Sequence, residues 1–553
     1  MAKLLEEVSD LVQSAGRLPA TMLALQRRIA SDRDRLLEVL RSEGYYGASI
    51  EVDRREADGT QIVELRVVPG PRFGIASFTL VLAPDSVDAG LRQEAERQAL
   101  ERIGEPARAA RIIELERGVI VLLGRNGHPK ARRTERKVVV DHARAVADIR
   151  LEIDAGERVT FGPPLITGTQ EVRPSYIRRQ LAWREGALFD NRHVDDTRRD
   201  LVRSNLFETV RVTPAETAEP DGSLPVEIEV REREHRSIGF GLGYSTDLGF
   251  GGKVFWEHRN LFGEGESLNL EARAAQRLYG GAARYRERGF LSRRNTLLLD
   301  LETSEERFEA YRSRSVATGA ALERDLGDGF AGSLGVTLEA LSVRQAGETD
   351  RFVLVSLPAR LRRDTTDNLL DPTRGHRLRL EYTPFLQPDD PDLNFHRIIL
   401  AGSAYQGFFE ENRVVLAARA QLGFIFGPPT AEIPANRRLY AGGGGSVRGY
   451  EFQSLGPLDA DGDPVGGRSI VEAGVEARIR LFGNFGIVPF LDIGNAYDDA
   501  RPDPGDGVRV ATGIGLRYTT PIGPIRADIA FPLNRRRGID DAFQFYVSLG
   551  QAF

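Results

Sequence analysis

From about residue 237 to its last residue the sequence alternates with period two, in segments separated by Gly, Asp, Asn and Pro clusters. That period belongs to strands, whose successive side chains point to opposite faces. In SIGFGLGYS, residues 237–245, Ile238, Phe240, Leu242 and Tyr244 share one face, and Ser237, Gly239, Gly241 and Gly243 the other. In VVLAARAQLGFIF, Val414, Leu416, Leu422, Phe424 and Phe426 lie opposite Arg419 and Gln421. GVRVATGIGLRY sets Val508, Val510, Ile514, Leu516 and Tyr518 against Arg509, Gly513, Gly515 and Arg517. The last segment, AFQFYVSLGQAF, sets Phe543, Phe545, Val547, Leu549 and Phe553 against Gln544, Tyr546, Ser548 and Gly550. A soluble sandwich seldom keeps charges on one face of strand after strand over so long a run. A membrane barrel does, because its outside meets lipid and its lumen is polar. At about 20 residues per strand and connection, residues 237–553 make about 16 antiparallel strands.

The first half has a different rhythm. Three times a helix-like segment runs through a hinge into two β-rich stretches, with Gly44, Gly127 and Asn205 at the equivalent hinge. DRLLEVLRSEGYYGASIEVD, IIELERGVIVLLGRNGHPKARRTERKVVVD and HVDDTRRDLVRSNLFETVRVTP open the three units. A period of about 80 residues is too long for a simple solenoid and fits small domains. The first unit starts at a helix, without the strand that opens the other two, and is expected to be truncated. The expected boundaries are 1–70, 71–157, 158–232 and, for the barrel, 233–553.

Other classes of function find little support. A formal charge of −6 leaves no basic footprint for nucleic acid. No run of about 18 apolar residues exists to form a spanning helix. His128, His142, His258 and His376 lack metal-ligand spacing. Four glycines, Gly442–Gly445, are followed by no Gly-Lys-Ser/Thr, so they form no phosphate loop, and Ser446 lacks the spacing of a hydrolase elbow. The acidic stretches PDDPDLN and DADGDP lack EF-hand spacing and read as solvated loops. No catalytic site, metal or cofactor is expected. The start, MAKLLEEVSDLV, has no apolar signal core. With a barrel downstream, the expectation is an export signal already removed.

The glycine run leads into Val447, Arg448, Gly449 and Tyr450. A solvated loop is one reading of it. The alternation offers another, since it sends Glu472 and Glu476, then Asp492, then Asp528 of successive strands to the lumen. A loop of about residues 427–468 folded into the barrel would bring Arg448 onto these carboxylates, where a guanidinium binds through two parallel hydrogen bonds and an ammonium cannot. Alternation alone does not choose among the four.

Tandem helix-then-hairpin units, a VRGY loop and the ending GIGLRYTTPIGPIRADIAFPLN...FQFYVSLGQAF resemble the outer-membrane assembly barrels that carry periplasmic POTRA domains. That superfamily includes BamA, TamA and the two-partner secretion transporters, and the three units and the ending GIDDAFQFYVSLGQAF are most similar to the TamA family. The resemblance implies α+β POTRA repeats in the periplasm ahead of a transmembrane barrel in the outer membrane. It pairs the VRGY arginine with Asp492 of the LDIGN segment. It also implies a non-enzymatic role in inserting or secreting autotransporter-type and other barrel clients. The implied partners are unfolded outer-membrane proteins, outer-membrane lipid and a large inner-membrane-anchored TamB-like protein. The exit would be a lateral seam between the first strand, with Ile238, Gly239, Gly241, Gly243 and Tyr244, and the last, with Ser548, Gly550 and Phe553. Glycine-rich strands pair weakly, which suits a seam. The alternative is a two-partner-type pore that exports its client through the lumen.

Overall fold

Two short helices, α1 (Ala2–Val8) and α2 (Asp10–Gln13), precede the longer α3 (Met22–Ser42). On α3, Leu25, Ile29, Leu36 and Leu40 recur at helical spacing and form one buried stripe. Asp32 lies in that stripe and is satisfied there, accepting from Ser9 Oγ at 2.6 Å and from the Asp10 N–H at 2.7 Å at the start of α2. The computed structural model describes all residues except 16–20, 58–59, 84–86, 504, 506, 521–524 and 550–553.

Strands β1 (Ser49–Ala57) and β2 (Thr60–Val68) pair as a two-stranded antiparallel sheet. Next come β3 (Gly74–Ala83), α4 (Ala89–Leu100), α5 (Ala109–Arg125), β4 (Arg132–Asp141) and β5 (Val146–Asp154). The sheet order is β3-β5-β4, with β3 parallel to β5. Its core joins Ile75, Ala95, Val119, Leu123, Ile149 and Leu151, all essentially buried. The pattern repeats in β6 (Thr160–Thr167), α6 (Pro174–Gln180), α7 (Asn191–Arg203), β7 (Phe207–Pro214) and β8 (Ser223–Glu232), with order β6-β8-β7. The hinges Gly44, Gly127 and Asn205 have φ of 93°, 95° and 61°. This left-handed backbone ends a helix and turns the chain into the next strand, which is why Gly or Asn stands there.

His128 follows the second hinge and is 1% exposed. Its Nδ1 lies 3.2 Å from the Gly156 carbonyl, while Nε2 is buried without a partner. Burial holds the ring below its ordinary pKa of 6.5, with nearby Arg158 adding to the effect and the Gly156 carbonyl opposing it. The unfolded chain therefore takes up this proton first as pH falls, and stability is lost below about pH 6.5. For residues 1–232 expressed alone, the urea midpoint at pH 5.5 is expected to lie below that at pH 7.5. His128→Gln should flatten that dependence.

The barrel begins with β9 (Arg236–Ser245), β10 (Gly249–His258), β11 (Glu266–Ala275), β12 (Leu278–Arg288), β13 (Asn295–Arg307) and β14 (Arg312–Gly327). It continues with β15 (Phe330–Gln345), β16 (Glu348–Ser356), β17 (Ala359–Asp364), β18 (Arg374–Leu386), β19 (Phe395–Phe408) and β20 (Val414–Phe426). It ends with β21 (Ser469–Arg480), β22 (Phe485–Tyr497), β23 (Arg509–Tyr518), β24 (Ile525–Pro532) and β25 (Gln544–Leu549). These strands close on themselves, with β9 between β10 and β25. Segments β16 and β17 are halves of one strand, since each pairs with both β15 and β18. Pro358 lies at the break, where the ladder lacks a donor. The 17 segments therefore make about 16 strands, the number expected from the alternation.

The chain divides into two compact units, one of Met1–Gly168, Leu181–Asp200 and Thr209–Val230, the other of Thr169–Gln180, Leu201–Glu208 and Arg231–Phe553. Within the second, the segment between β20 and β21 is no solvated loop. Its Ile433, Leu439, Val447, Tyr450 and Leu455 are buried in one cluster with wall residues such as Leu341, Leu354, Phe395 and Ile470.

Candidate functional site

Arg448 is wholly buried on the lumen face of the last barrel strands. Its Nε donates to Asp492 Oδ2 at 2.6 Å and its Nη2 to Asp492 Oδ1 at 3.1 Å, a bidentate pair. The Arg448 backbone N–H also donates to Oδ2, at 3.2 Å. Nη1 reaches Glu476 at 3.2 Å and Asp528 at 3.5 Å. The guanidinium carbon stands 3.4 Å from the centre of the Phe490 ring, whose face favours a cation.

The wall is cut to fit. Asp492 pairs in register with Gly474, where a Cβ would stand 2.4 Å from its Oδ1. A Cβ at Gly494 would meet Val447 at 2.8 Å. In the loop, Gly442, Gly443 and Gly449 have φ near 102°, 102° and 101°, a conformation that other residues rarely adopt. The carboxylates have further partners, since Arg478 donates to Glu476 at 2.9 Å and Arg526 Nε lies 3.0 Å from Asp528, which Arg517 also contacts.

Of the expected carboxylates, Asp492, Glu476 and Asp528 meet the guanidinium. Glu472 does not. It accepts from Ser446 Oγ and from Gln421 at 3.3 Å, and so fixes the loop one step before the arginine. Arg419, on the neighbouring strand β20 and in register with Gly474, donates to the Gly445 carbonyl at 2.7 Å and to that of Ser446.

Two contacts lay beyond sequence reasoning, and they join the loop to the seam. The Gly444 N–H donates to Asp247, at 3.2 Å from Oδ2, in the turn between β9 and β10. Burial pushes the Asp247 carboxyl above the usual carboxylate range, with the Gly444 N–H and then Arg526 opposing. On the other side, Tyr546 of β25 accepts from the Gly449 N–H at 3.1 Å and donates to the Tyr450 carbonyl at 2.7 Å. Tyr450 in turn donates to Asn534 at 2.9 Å. One loop thus holds both edges where the barrel closes.

The seam itself is sparsely packed. Ile238, Phe240 and Leu242 are 77%, 84% and 85% exposed on the outer face of β9, against 42% for Leu270 and 40% for Leu299 on interior strands. Tyr244, at the far end, is 42% exposed and packs at a tilt against Phe250, with ring centres 5.1 Å apart. On the lumen face, Phe255 lies over Gly239, Gly241 is flanked by Lys253, and nothing approaches Gly243. Ser548 faces the lumen in register with Arg526, whereas Gly550 and Phe553 fall outside the described residues. Among the described residues, no cluster of His, Asp or Glu is arranged to hold a metal ion.

A family model described as the Omp85 superfamily domain matches residues 260–553. This chain belongs to the Omp85 superfamily. It is 25% identical over 426 residues to the outer membrane protein assembly factor BamA of Nitratidesulfovibrio vulgaris, across 74% of this chain and 53% of that protein. It therefore spans about half the length of that relative. With BamA of Neisseria meningitidis serogroup B it shares 21% over 605 residues, across 96% of this chain and 73% of that protein. Among solved structures, BamA from Haemophilus ducreyi lacking POTRA domains 1-3 superposes with a TM-score of 0.69 at 20% identity, covering 87% of this chain and all of that one. CdiB from Acinetobacter baumannii gives 0.52 at 14%, covering 87% and 90%. This Omp85 chain is accordingly an outer-membrane barrel with the POTRA-plus-barrel architecture.

Proposed function

We propose that this Omp85 chain is an assembly factor of the TamA type, which passes autotransporter-type and other barrel clients into the outer membrane through the β9–β25 seam. The observation that carries this reading is the loop that bonds both to Asp247 beside β9 and to Tyr546 on β25. Releasing the loop removes contacts from both edges at once. A parted seam exposes unpaired backbone N–H and C=O groups, which an incoming client strand satisfies by adding to the edge. No covalent chemistry is required. The relatives named as assembly factors support the general role, and the resemblance of the closing segment supports the TamA type with a TamB-like partner.

The test is reconstitution. Proteoliposomes holding the full chain are expected to speed the insertion of a urea-unfolded barrel client, read as acquired protease resistance and a heat-modifiable band. No acceleration, together with flux of a small solute through the protein, would favour the secretion-pore reading. Co-isolation of a large inner-membrane-anchored β-rich protein separates the TamA type from the BamA type.

A further inference from the structure

The barrel rim opposite the end at which the chain enters β9, at Arg236, is not uniform. On the outward face of β13 to β16, cross-strand register sets Glu305, Arg314, Ser342 and Arg351 in one row. The next row outward is Arg307, Arg312, Arg344 and Thr349. Five arginines therefore share a sector with a single glutamate. Beneath them on the same face lie exposed apolar residues, Leu301, Val316, Leu338 and Val353. Elsewhere around this rim the outward residues include Tyr244, Phe250, Leu386, Phe426 and Phe531, part of the aromatic and apolar girdle usual for such barrels.

Single arginines can extend their stems along an apolar surface toward water at any point on a barrel. Five of them on four neighbouring strands, set over a groove, call for an anion. The groove has a volume of about 780 Å³ and is lined by Glu305, Arg314, Ser342 and Arg351, by Val316 and Val353, and by Gln387 and Asp389. Glu305 is shared by Arg307 at 2.7 Å and Arg314 at 3.2 Å. Arg312, Arg344 and Arg351 have no ion pair among the described residues. Arg312 and Arg344 also line a cavity of about 480 Å³ together with Glu309, Asp459 and Asp463, so the outer row has carboxylates of its own to face, whereas Arg351 in the lower row opens onto the groove.

The orientation of the barrel says what meets this sector. An Omp85 chain enters its barrel from the periplasm, here at Arg236 of β9, so the rim at the other end of β9 stands in the outer leaflet, where a glycolipid carries phosphates on its sugar head. We propose that β13 to β16 form a binding site for that phosphorylated headgroup. Arg314 and Arg351 hold phosphate oxygens through paired N–H donors, Ser342 adds a hydroxyl, and Val316 and Val353 receive the first part of the acyl chains. Clusters of basic side chains at the head-group level are the usual device for this chemistry. The site lies away from the seam and does not depend on the assembly reading.

The test titrates the detergent-purified full chain with bisphosphorylated lipid A and counts bound lipid by native mass spectrometry. Arg314→Gln combined with Arg351→Gln is expected to weaken binding by about tenfold or more, as losing two charge-assisted contacts should. Arg362→Gln with Arg379→Gln, the same charge change on the lumen face of β17 and β18, should leave binding unchanged. Heat-dependent migration on semi-native gels checks that both variants fold. Equal binding by the rim variant and the wild type overturns the proposal, as does an equal loss in the lumen control. Lipid A stripped of its phosphates, if it binds as tightly, removes the phosphate from the recognition. Inorganic phosphate that saturates the site at the concentration of lipid A would make this a free-anion site and remove the lipid.

Discussion

Arg448→Ala is expected to lower the temperature at which the folded barrel loses its compact band on semi-native gels, and to abolish assembly activity. The side chain is fully buried, and removing one member of a buried ion pair typically costs about 3 to 5 kcal/mol because the partner's charge is left uncompensated. Here the loss falls mainly on Asp492. Glu476 keeps Arg478 at 2.9 Å and Asp528 keeps Arg526 at 3.0 Å, whereas among the described residues Asp492 retains only Arg419, at 3.8 Å, as an ion-pair partner. The order of effects should follow the contacts, with Arg448→Ala the most severe, Asp492→Asn next and Glu476→Gln mildest. Arg448→Lys should not restore function, since an ammonium cannot reproduce the two parallel bonds to Asp492. Tyr546→Phe offers a comparison on the far side of the same loop. It removes the bonds to Gly449 and Tyr450 without touching the charges, and should cost about 1 to 3 kcal/mol for the backbone groups left unpaired. An Arg448→Ala protein with unchanged thermal migration and full complementation would remove the lock from the mechanism.

The lock was legible in part, for physical reasons. Alternation has only two faces, so once Leu491 is assigned to lipid, Asp492 must point inward, and the same step places Glu476 and Asp528. The bidentate chemistry of arginine then supplies the partner type. Alternation says nothing, however, about how far a loop reaches. Asp247 lies 197 residues from Gly444 and Tyr546 97 residues from Gly449, and no spacing rule connects such pairs. Gly474 and Gly494 were equally silent, because a strand glycine shows its purpose only when the side chain that fills its space is known. Glu472 went the same way. It is inward like its neighbours, yet the loop offers it Ser446 instead of the guanidinium. In the first half, the hinges were visible because a left-handed turn after a helix demands Gly or Asn, a requirement written at a single position. Pro358, which splits one strand into β16 and β17, was readable on the same ground but lies between stretches that alternate well on both sides.

Joining β9 to β25 covalently is expected to stop activity reversibly. The sequence contains no cysteine, so any disulfide that forms is the engineered one. The outer face of β9 is the most exposed apolar surface described in the barrel wall, with Phe240 and Leu242 at 84% and 85%. Cross-strand side-chain pairs are the unit that stabilises a ladder, and these side chains gain little from such pairs on the β25 side. What remains to hold the junction is backbone pairing and the loop bonds to Asp247 and Tyr546. Ser548→Cys combined in turn with Ser237→Cys, Gly239→Cys and Gly241→Cys samples the lumen face of both strands. A disulfide needs a Cα separation of about 4.4 to 6.8 Å, so the pair that oxidises readily also reports the register of the junction. That pair should block client insertion under oxidising conditions and recover it on reduction. Leu299→Cys with Ala320→Cys, paired in register across β13 and β14, provides a cross-link in a hairpin that has no reason to open and should be harmless. The two predictions also constrain each other. If the loop keeps the seam shut, Arg448→Ala should raise the reactivity of a lone Gly241→Cys toward a thiol reagent, because an edge released from the loop opens more often. A locked seam that supports full insertion would instead mean that clients leave through the lumen, and the contacts to Asp247 and Tyr546 would then serve only to hold the plug in place.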